Sequence, residues 1–422
     1  MRTRKKWKPD ASLILPFDKG LAMRGLFLPP SLSIRTCSGA PDTPWICPDG
    51  NHHIQPSVAS AWHTPVFVFD ASFTRMIARC LFMLGALSMP LHAVASDSPA
   101  ATVGLLRNVV FTDYSPLSRS AELARRLLSP LNALRVRRES MRSSQAMREQ
   151  PVDLVHERFA IYVPAKVPPH AYALLVFVPP WQDAIVPAAW IAALDRHGVI
   201  FVSAANSGND ANLIDRREPL ALLAAQNIMR RYPIDPQRIY IGGFSGGSRV
   251  AMRVALGYPD LFHGVLLDAG SDPIGEQIPL PPAELFRQFQ DSTRLVYVTG
   301  QHDDANLAMD VLSRKSMQTW CVSNVDIETA PWAWHVPIDP AVLDHALHML
   351  EKDTQHNPDQ LADCRAHIER QLTDQLQQVS TLLANGRRDD ARTLLQKIDA
   401  HYGGLAAPRS IELTGQIDAQ PP

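Results

Sequence analysis

Residues 238–252 read RIYIGGFSGGSRVAM, and this stretch decides the fold. Its first half is a short apolar run between Pro236 and a pair of glycines, which is typical of a buried strand. Its second half has apolar residues at helical spacing and ends before Gly257 and Pro259, which indicates a helix. A G-x-S-x-G turn joins the two halves. Such a turn places Ser245 on a tight bend, with its hydroxyl above a sheet edge and the positive end of a helix beneath it.

Two interpretations of Ser245 are open at this point. In one it is a nucleophile, and in the other it caps the helix of a glycine-rich turn. Candidate acids and a candidate base follow it in the chain in the order Ser, Asp, His, which is the order expected after an elbow of this kind. The order favours the nucleophile.

From about residue 154 the chain alternates between apolar strands and helical segments. The predicted strands are 159–163, 172–178, 199–203, 238–241, 265–268, 295–298 and 325–328, and the predicted helices include 187–195, 220–231 and 341–350. Apolar strands separated by helices predict an α/β fold with a mostly parallel central sheet and helices on both faces. In such a sheet the site lies beyond the carboxyl ends of the strands.

A base and an acid are expected at that same edge. A serine hydroxyl is a poor nucleophile until a base takes its proton, and His335 follows the last predicted strand. The acid should follow the preceding strand, where Asp303 and Asp304 both occur. We predict Asp303 as the acid and keep Asp304 as the alternative. The unused carboxylate would cap the next helix.

Two N–H donors are needed for the oxyanion of the reaction. Gly246 would supply one, because it follows the nucleophile. The loop after strand 172–178 begins with two prolines, which have no N–H, so the second donor must be Trp181 or Gln182. We favour Trp181.

At these residues the chain resembles the α/β-hydrolase superfamily, and more narrowly the bacterial polyhydroxybutyrate depolymerase-like and feruloyl-esterase-like serine esterases. The resemblance covers about 155–352 and rests on the elbow and on four other stretches: GVIFVSAANSGN (198–209), IDPQRIY (234–240), DLFHG (260–264) and TGQHD (299–303). It implies a triad of Ser245, Asp303 and His335 and the hydrolysis of carboxylic esters through an acyl-enzyme. Two positions depart from the pattern. Pro179-Pro180 replaces a common His-Gly, and Trp334 replaces a common Gly, which predicts a narrower pocket.

The N-terminal region has the features of a leader. Residues 76–95 combine a positive start, an apolar segment and an A-x-A signal before Ser96, which is typical of a secretory signal peptide and too short to span a membrane. The alternative is a buried apolar helix. We expect residues 1–75 to be disordered or a spurious upstream extension, Met76 to be the true start, and the protein to be periplasmic or secreted. The cysteines and histidines of residues 37–53 match no common zinc spacing.

The flanks of the predicted hydrolase domain (154–354) are helical in pattern. Residues 96–153 predict a helical lead-in. Residues 355–422 predict a C-terminal extension with one helical hairpin that docks on the core or on another subunit. A frayed tail is expected after about residue 412.

Two further features concern single segments. Prolines within 270–290 predict a semi-rigid lid. Cys321 and Cys364 either form a disulfide in an oxidising compartment or stay as buried thiols.

Composition narrows the function further. The net charge is −1, which gives no electrostatic argument for nucleic acid. The glycines of 242–247 lack the lysine of a phosphate-binding loop, and the chemistry needs no metal or other cofactor. We predict a serine esterase acting on a small-molecule or oligomeric ester, with no stable membrane span. The alternatives are an acyltransferase or peptidase with the same triad, and a non-catalytic binding protein on the hydrolase fold.

Overall fold

The computed structural model describes residues 102–143, 147–353 and 357–419. The predictions for residues 1–75 and for the leader at 76–95 lie outside the described residues.

An eight-stranded sheet forms the centre of the fold. Its strands are β1 (Gly104–Val109), β2 (Phe159–Val163), β3 (Tyr172–Val178), β4 (Val199–Ala204), β5 (Ile234–Phe244), β6 (Gly264–Asp268), β7 (Arg294–Gly300) and β8 (Val325–Ala330). They lie in the order β1-β2-β4-β3-β5-β6-β7-β8. Among these strands only β2 runs against its neighbours, and β3 to β8 are parallel. The elbow strand β5 is therefore near the middle of the sheet.

Helices cover both faces of this sheet. They are α1 (Ser120–Leu127), α2 (Pro130–Arg142), α3 (Ile191–His197), α4 (Glu218–Arg231), α5 (Gly246–Gly257), α6 (Ala283–Ser292), α7 (Asp304–Thr319), α8 (Pro340–Leu350), α9 (Pro358–Ala384), α10 (Arg388–Tyr402) and α11 (Arg409–Ala419). Apolar residues of α1, α4, α5 and α6 share one hydrophobic cluster, and those of α3 and α8 share the other.

Strand β3 shows why the sheet needs both layers. All seven of its residues are buried. Leu174 and Val176 belong to the cluster on one face, whereas Leu175 and Phe177 belong to the cluster on the other. Because successive side chains point to opposite faces, a continuous apolar run is stable only when helices cover both sides.

The architecture is that of an α/β-hydrolase, as the sequence predicts: a mostly parallel sheet between two helical layers, with a strand-turn-helix elbow at its centre. The predicted strands are confirmed, with bounds that shift by a few residues. The lead-in differs from the prediction, since it contains strand β1 as well as helices. This edge strand pairs only with β2 and is partly exposed, so it lacks the apolar run that marks the central strands.

Residues 270–290 bury most of their apolar side chains in the core, and the prediction of a lid is wrong. Ile274, Ile278 and Leu280 are all buried in the main hydrophobic cluster. The carbonyl of Leu280 also accepts a hydrogen bond from Gly404 N at 2.7 Å. The prolines stiffen a segment that supports the C-terminal helices, because the apolar residues between them pack inward.

The C-terminal extension docks on the core of the same chain. Asp399 in α10 accepts hydrogen bonds from Ser129 Oγ at 2.5 Å and from Leu131 N at 3.0 Å. The predicted hairpin is present as α9 and α10. The predicted frayed tail is wrong, since α11 buries Leu413 and Ile417. Their spacing of four residues places them on one face of that helix.

A disulfide joins Cys321 and Cys364, with an S–S distance of 2.03 Å. Cys321 follows α7 in the hydrolase core, and Cys364 lies in the second turn of α9. The bond therefore holds the extension to the core across 43 residues of sequence.

Removing this disulfide should destabilise the protein. Replacing both cysteines by serine frees a loop of 43 residues, and the chain-entropy model gives roughly 4 kcal/mol for closing a loop of that size. Guanidinium unfolding of the oxidised protein and the double variant would measure the difference. A reductant should lower the midpoint of the wild type and leave that of the variant unchanged. Equal midpoints under oxidising conditions would contradict the prediction.

An ion cluster joins the far end of the sheet to α8. His197 lies between Asp344, at 3.0 Å, and Glu351, at 3.1 Å. Arg196 pairs with Asp344, and Arg238 pairs with Glu351 at 2.5 Å. The hydrogen bond with Glu351 raises the pKa of His197 above its usual 6.5, although burial opposes the shift and Asp344 adds to it. The same contacts lower the pKa values of both carboxyls, against the effect of their burial.

The contribution of His197 to stability should depend on pH. A histidine whose pKa is raised by folding stabilises the fold fully below its unfolded pKa of about 6.5, and loses that contribution as the pH rises through the folded value. His197→Gln should therefore cost the most near pH 5.5 and progressively less above pH 7 or so. Urea unfolding at several pH values would measure this, with the exposed His345→Gln as the control. A cost that stays constant from acid to alkaline pH would refute the linkage.

Candidate active site

The elbow between β5 and α5 holds Ser245 in a strained conformation. Its φ is 54° and its ψ is −122°, a region that costs a non-glycine residue on the order of 1–3 kcal/mol. The fold fixes this conformation, because Ser245 N donates to Asp268 O at 2.8 Å. Close approach of β3 also requires glycine nearby, since a Cβ at Gly243 would lie 2.6 Å from Val178 O. The strained turn projects the serine side chain beyond the carboxyl edge of the sheet.

Ser245, His335 and Asp303 form a hydrogen-bonded row at that edge. His335 Nε2 lies 2.9 Å from Ser245 Oγ, and His335 Nδ1 lies 2.6 Å from Asp303 Oδ2. An ionised carboxylate only accepts hydrogen bonds, so Nδ1 carries the proton and Nε2 is free to accept from the serine hydroxyl. Asp303 follows β7 and His335 follows β8, as the sequence predicts for the acid and the base. The side chain of Asp303 is 6% exposed and that of His335 is 44% exposed.

Asp303 rather than Asp304 contacts the histidine. It also caps α7, because its Oδ1 accepts from Asn306 N at 3.5 Å. The prediction that the unused carboxylate caps this helix is therefore wrong, since Asp304 is already in the first helical turn and is exposed. Burial alone would raise the pKa of Asp303, but hydrogen bonds from His335 and Asn306 outweigh it and lower that pKa. The Asp303 carboxylate therefore stays ionised beside His335.

A row of hydrogen-bonded polar side chains supports Asp303, and the sequence alone does not predict it. Asn306 Nδ2 lies 3.0 Å and 2.9 Å from the two carboxylate oxygens of Asp303. Asn306 Oδ1 accepts from Arg249 Nη2 at 2.9 Å, and Arg249 Nε donates to Asp272 at 3.2 Å. Because Arg249 has no acceptor, it fixes which end of the amide faces Asp303. This row of hydrogen bonds orients the Asp303 carboxylate toward His335.

Asp268 holds the loop that carries His335. It ends β6, is 1% exposed, and accepts a hydrogen bond from Ile338 N at 3.1 Å through Oδ2. Ile338 O in turn accepts from Trp190 Nε1 at 3.0 Å. Complete burial raises the pKa of Asp268 well above its usual value, the charge of Asp303 adds to this, and the Ile338 N–H opposes it. No sequence pattern predicts this contact, because Asp268 and Ile338 are 70 residues apart in the chain.

The loop after β3 crosses the first turn of α5, where the oxyanion donors are expected. A Cβ at Gly247 would lie 2.8 Å from Val178 C and 3.0 Å from Pro179 C. Gly246 begins α5, so its N–H has no intrahelical acceptor. In the described part of the chain, no acceptor is found for the backbone N–H of Trp181 or Gln182. Both stay candidates for the second donor, and the choice of Trp181 stays a prediction.

Trp334 faces solvent beside the site, and the narrowing of the pocket by its ring stays a prediction. Trp332 is 80% exposed and Trp334 is 68% exposed. The Trp334 ring stacks on His302, with centroids 5.2 Å apart. The backbone of this loop approaches β7 so closely that a Cβ at Gly300 would lie 2.6 Å from the carbonyl oxygen of Trp334. The two indoles form an exposed aromatic rim beside His335.

Two other features are absent from the described ranges. They contain no helix that is both long and apolar enough to cross a membrane. Nor do they contain a group of three or more histidine, cysteine or acidic side chains placed to hold a metal ion.

The chain matches no protein-family model and no curated protein sequence. Its fold is similar to solved structures that include a thermostable esterase (15% identity, 47% of this chain and 59% of that one, TM-score 0.36). Another is a poly(3-hydroxybutyrate) depolymerase from Bordetella parapertussis (14% identity, 49% and 88%, TM-score 0.35). A third is Porphyromonas gingivalis dipeptidyl peptidase 4 (14% identity, 47% and 34%, TM-score 0.34). The chain thus spans less than two thirds of the esterase and about a third of the peptidase.

Proposed function

We propose that this protein is a serine hydrolase that cleaves carboxylic esters through an acyl-enzyme. One observation carries the proposal: Ser245, His335 and Asp303 are joined by hydrogen bonds on a strained elbow at the carboxyl edge of the sheet. A helix-capping serine would need neither the imidazole nor the carboxylate. The choice of esters follows the resemblance of residues 155–352 to bacterial serine esterases.

The first half of the reaction acylates the serine. As Ser245 Oγ attacks the ester carbonyl carbon, its proton passes to His335 Nε2 and the carbonyl electron pair moves onto oxygen. Asp303 stabilises the imidazolium that forms, and its lowered pKa keeps it ionised for this purpose. The intermediate then collapses, the bond to the alcohol oxygen breaks, and the leaving alkoxide takes the proton from Nε2.

The second half removes the acyl group. Water gives a proton to Nε2 and attacks the acyl carbon, and the collapse that follows returns the proton to Ser245 Oγ as the acid leaves. Gly246 N–H stabilises the oxyanion in both halves. The side chain of His335 is 44% exposed, which gives water direct access to the base.

We also propose that the protein acts in the periplasm or outside the cell. The disulfide between Cys321 and Cys364 supports this, because such bonds persist in oxidising compartments. N-terminal sequencing of the exported protein would test it, with a mature start near Ser96 expected. A mature protein that begins well before or after this position would contradict the predicted cleavage.

A chain-length series of nitrophenyl esters, with the full-length protein, tests the activity. We expect hydrolysis, a burst of nitrophenol, and stoichiometric labelling of Ser245 by a serine-directed phosphonate, located by peptide mass spectrometry. Added alcohol or amine acceptors would reveal an acyltransferase if the acyl group passes to them in preference to water. Peptide substrates would reveal a peptidase. A folded protein that neither hydrolyses esters nor takes the phosphonate would favour the binding-protein alternative.

A further inference from the structure

The side-chain amide of Asn209 lies at the active-site edge and makes no hydrogen bond within the described residues. Asn209 follows β4 and is exposed. Its backbone is anchored, because Asn209 N donates to Pro180 O at 3.0 Å. The fold therefore positions this residue without using its side chain.

That amide occupies the space where residue 246 would carry a side chain. A Cβ at Gly246 would lie 2.8 Å from Asn209 Cγ and 3.0 Å from Asn209 Nδ2, and closer still to Oδ1. Because the Cβ positions of a helix tilt toward its N-terminus, this space lies on the Ser245 side of α5. The absence of a side chain at 246 is what allows the Asn209 amide to lie against the first residue of α5.

The loop after β3 supplies few hydrogen-bond donors of its own. The residues that follow β3 are Pro179 and Pro180, which have no N–H to give. Their carbonyls already accept hydrogen bonds from Arg217 and from Asn209 N. The oxyanion site is therefore flanked by a loop with fewer backbone donors than usual and by one unpaired side-chain amide.

We propose that Asn209 is a catalytic residue, whose Nδ2–H donates to the substrate carbonyl oxygen as it becomes an oxyanion. It acts beside Gly246 N–H, and no proton is transferred. A half-turn about the last side-chain torsion exchanges Oδ1 and Nδ2, so the donor reaches the same position. This inference rests on the proposed hydrolase function.

Kinetics of the full-length protein on a nitrophenyl ester tests the donor. Asn209→Ala should lower kcat about 100-fold, with KM changed by less than about threefold, because the bond forms in the transition state. Asn209→Asp has nearly the same size without the N–H donor and should lose at least as much. Asn132→Ala removes an exposed asparagine side chain on α2 and should leave kcat unchanged.

A double-mutant cycle that combines Asn209→Ala with Gly246→Ala tests whether the Asn209 side chain acts next to residue 246. The added methyl should displace the flexible Asn209 side chain and leave the backbone N–H in place, so kcat should fall by a similar factor. In the Asn209→Ala background the same methyl no longer meets the amide, so it should cost far less than it does in the wild type. If the two losses multiply instead, Asn209 does not act at position 246 and the proposal is overturned.

The outcomes separate the two proposals. A wild type that hydrolyses esters, with Asn209→Ala within threefold of it, overturns the role of Asn209 alone. A wild type that neither hydrolyses esters nor takes the phosphonate overturns the hydrolase function, and this inference with it.

Discussion

Replacing Ser245 or His335 by alanine should each lower kcat on a nitrophenyl ester about 10⁶-fold, and the double variant should be no slower than either single one. The reason is that the two side chains act as one unit, joined at 2.9 Å. Without the hydroxyl there is no acyl-enzyme, and without the imidazole the hydroxyl is not deprotonated. Stopped-flow or long-time hydrolysis assays would measure the loss, and KM should change little.

Two controls separate this loss from a loss of folding. His345→Ala removes an exposed histidine on α8, whose side chain is 66% exposed, and should keep kcat within twofold. Ser245→Gly should be as inactive as Ser245→Ala yet more stable than the wild type, because glycine relieves the strain at φ 54°. Retention of more than about a hundredth of the activity by Ser245→Ala would rule out the serine as nucleophile.

The elbow was readable from the sequence because its signals are local. A strand, a glycine-rich turn and a helix follow one another within residues 238–252, and each has its own pattern. The positions of Asp303 and His335 followed from one further rule, that parallel strands bring their carboxyl ends to a single edge. This rule holds whatever the number of residues between one strand and the next.

The groups that support Asp303 and His335 could not be predicted from the sequence, because they come from separate loops. Arg249 contacts Asn306 across 57 residues, and Asp268 contacts Ile338 across 70. No period or motif links such residues, and only the packed sheet brings them together. Strand β1 was missed for a related reason: an edge strand is defined by its partner more than by its own residues.

The choice between two adjacent carboxylates is one that the sequence left open. Asp303 and Asp304 both follow β7, and either residue type suits the role. The structure separates them by the start of α7: Asp303 is the cap and points back to the site, whereas Asp304 is in the helix and faces solvent. The boundary of one helix thus sets the assignment.

Asp303→Asn should therefore lower kcat about 10⁴-fold, whereas Asp304→Asn should stay within about threefold of the wild type. The asparagine amide would donate to His335 Nδ1 and hold the imidazole in the tautomer whose Nε2 carries a proton, so Nε2 could not accept one from Ser245. The substitution keeps the helix cap, because asparagine caps a helix about as well as aspartate does. The fold should thus survive, and thermal unfolding of both variants would check this. If Asp304→Asn lost the activity and Asp303→Asn kept it, the acid of the proposed triad would be Asp304 and the hydrogen bond between His335 and Asp303 would be structural.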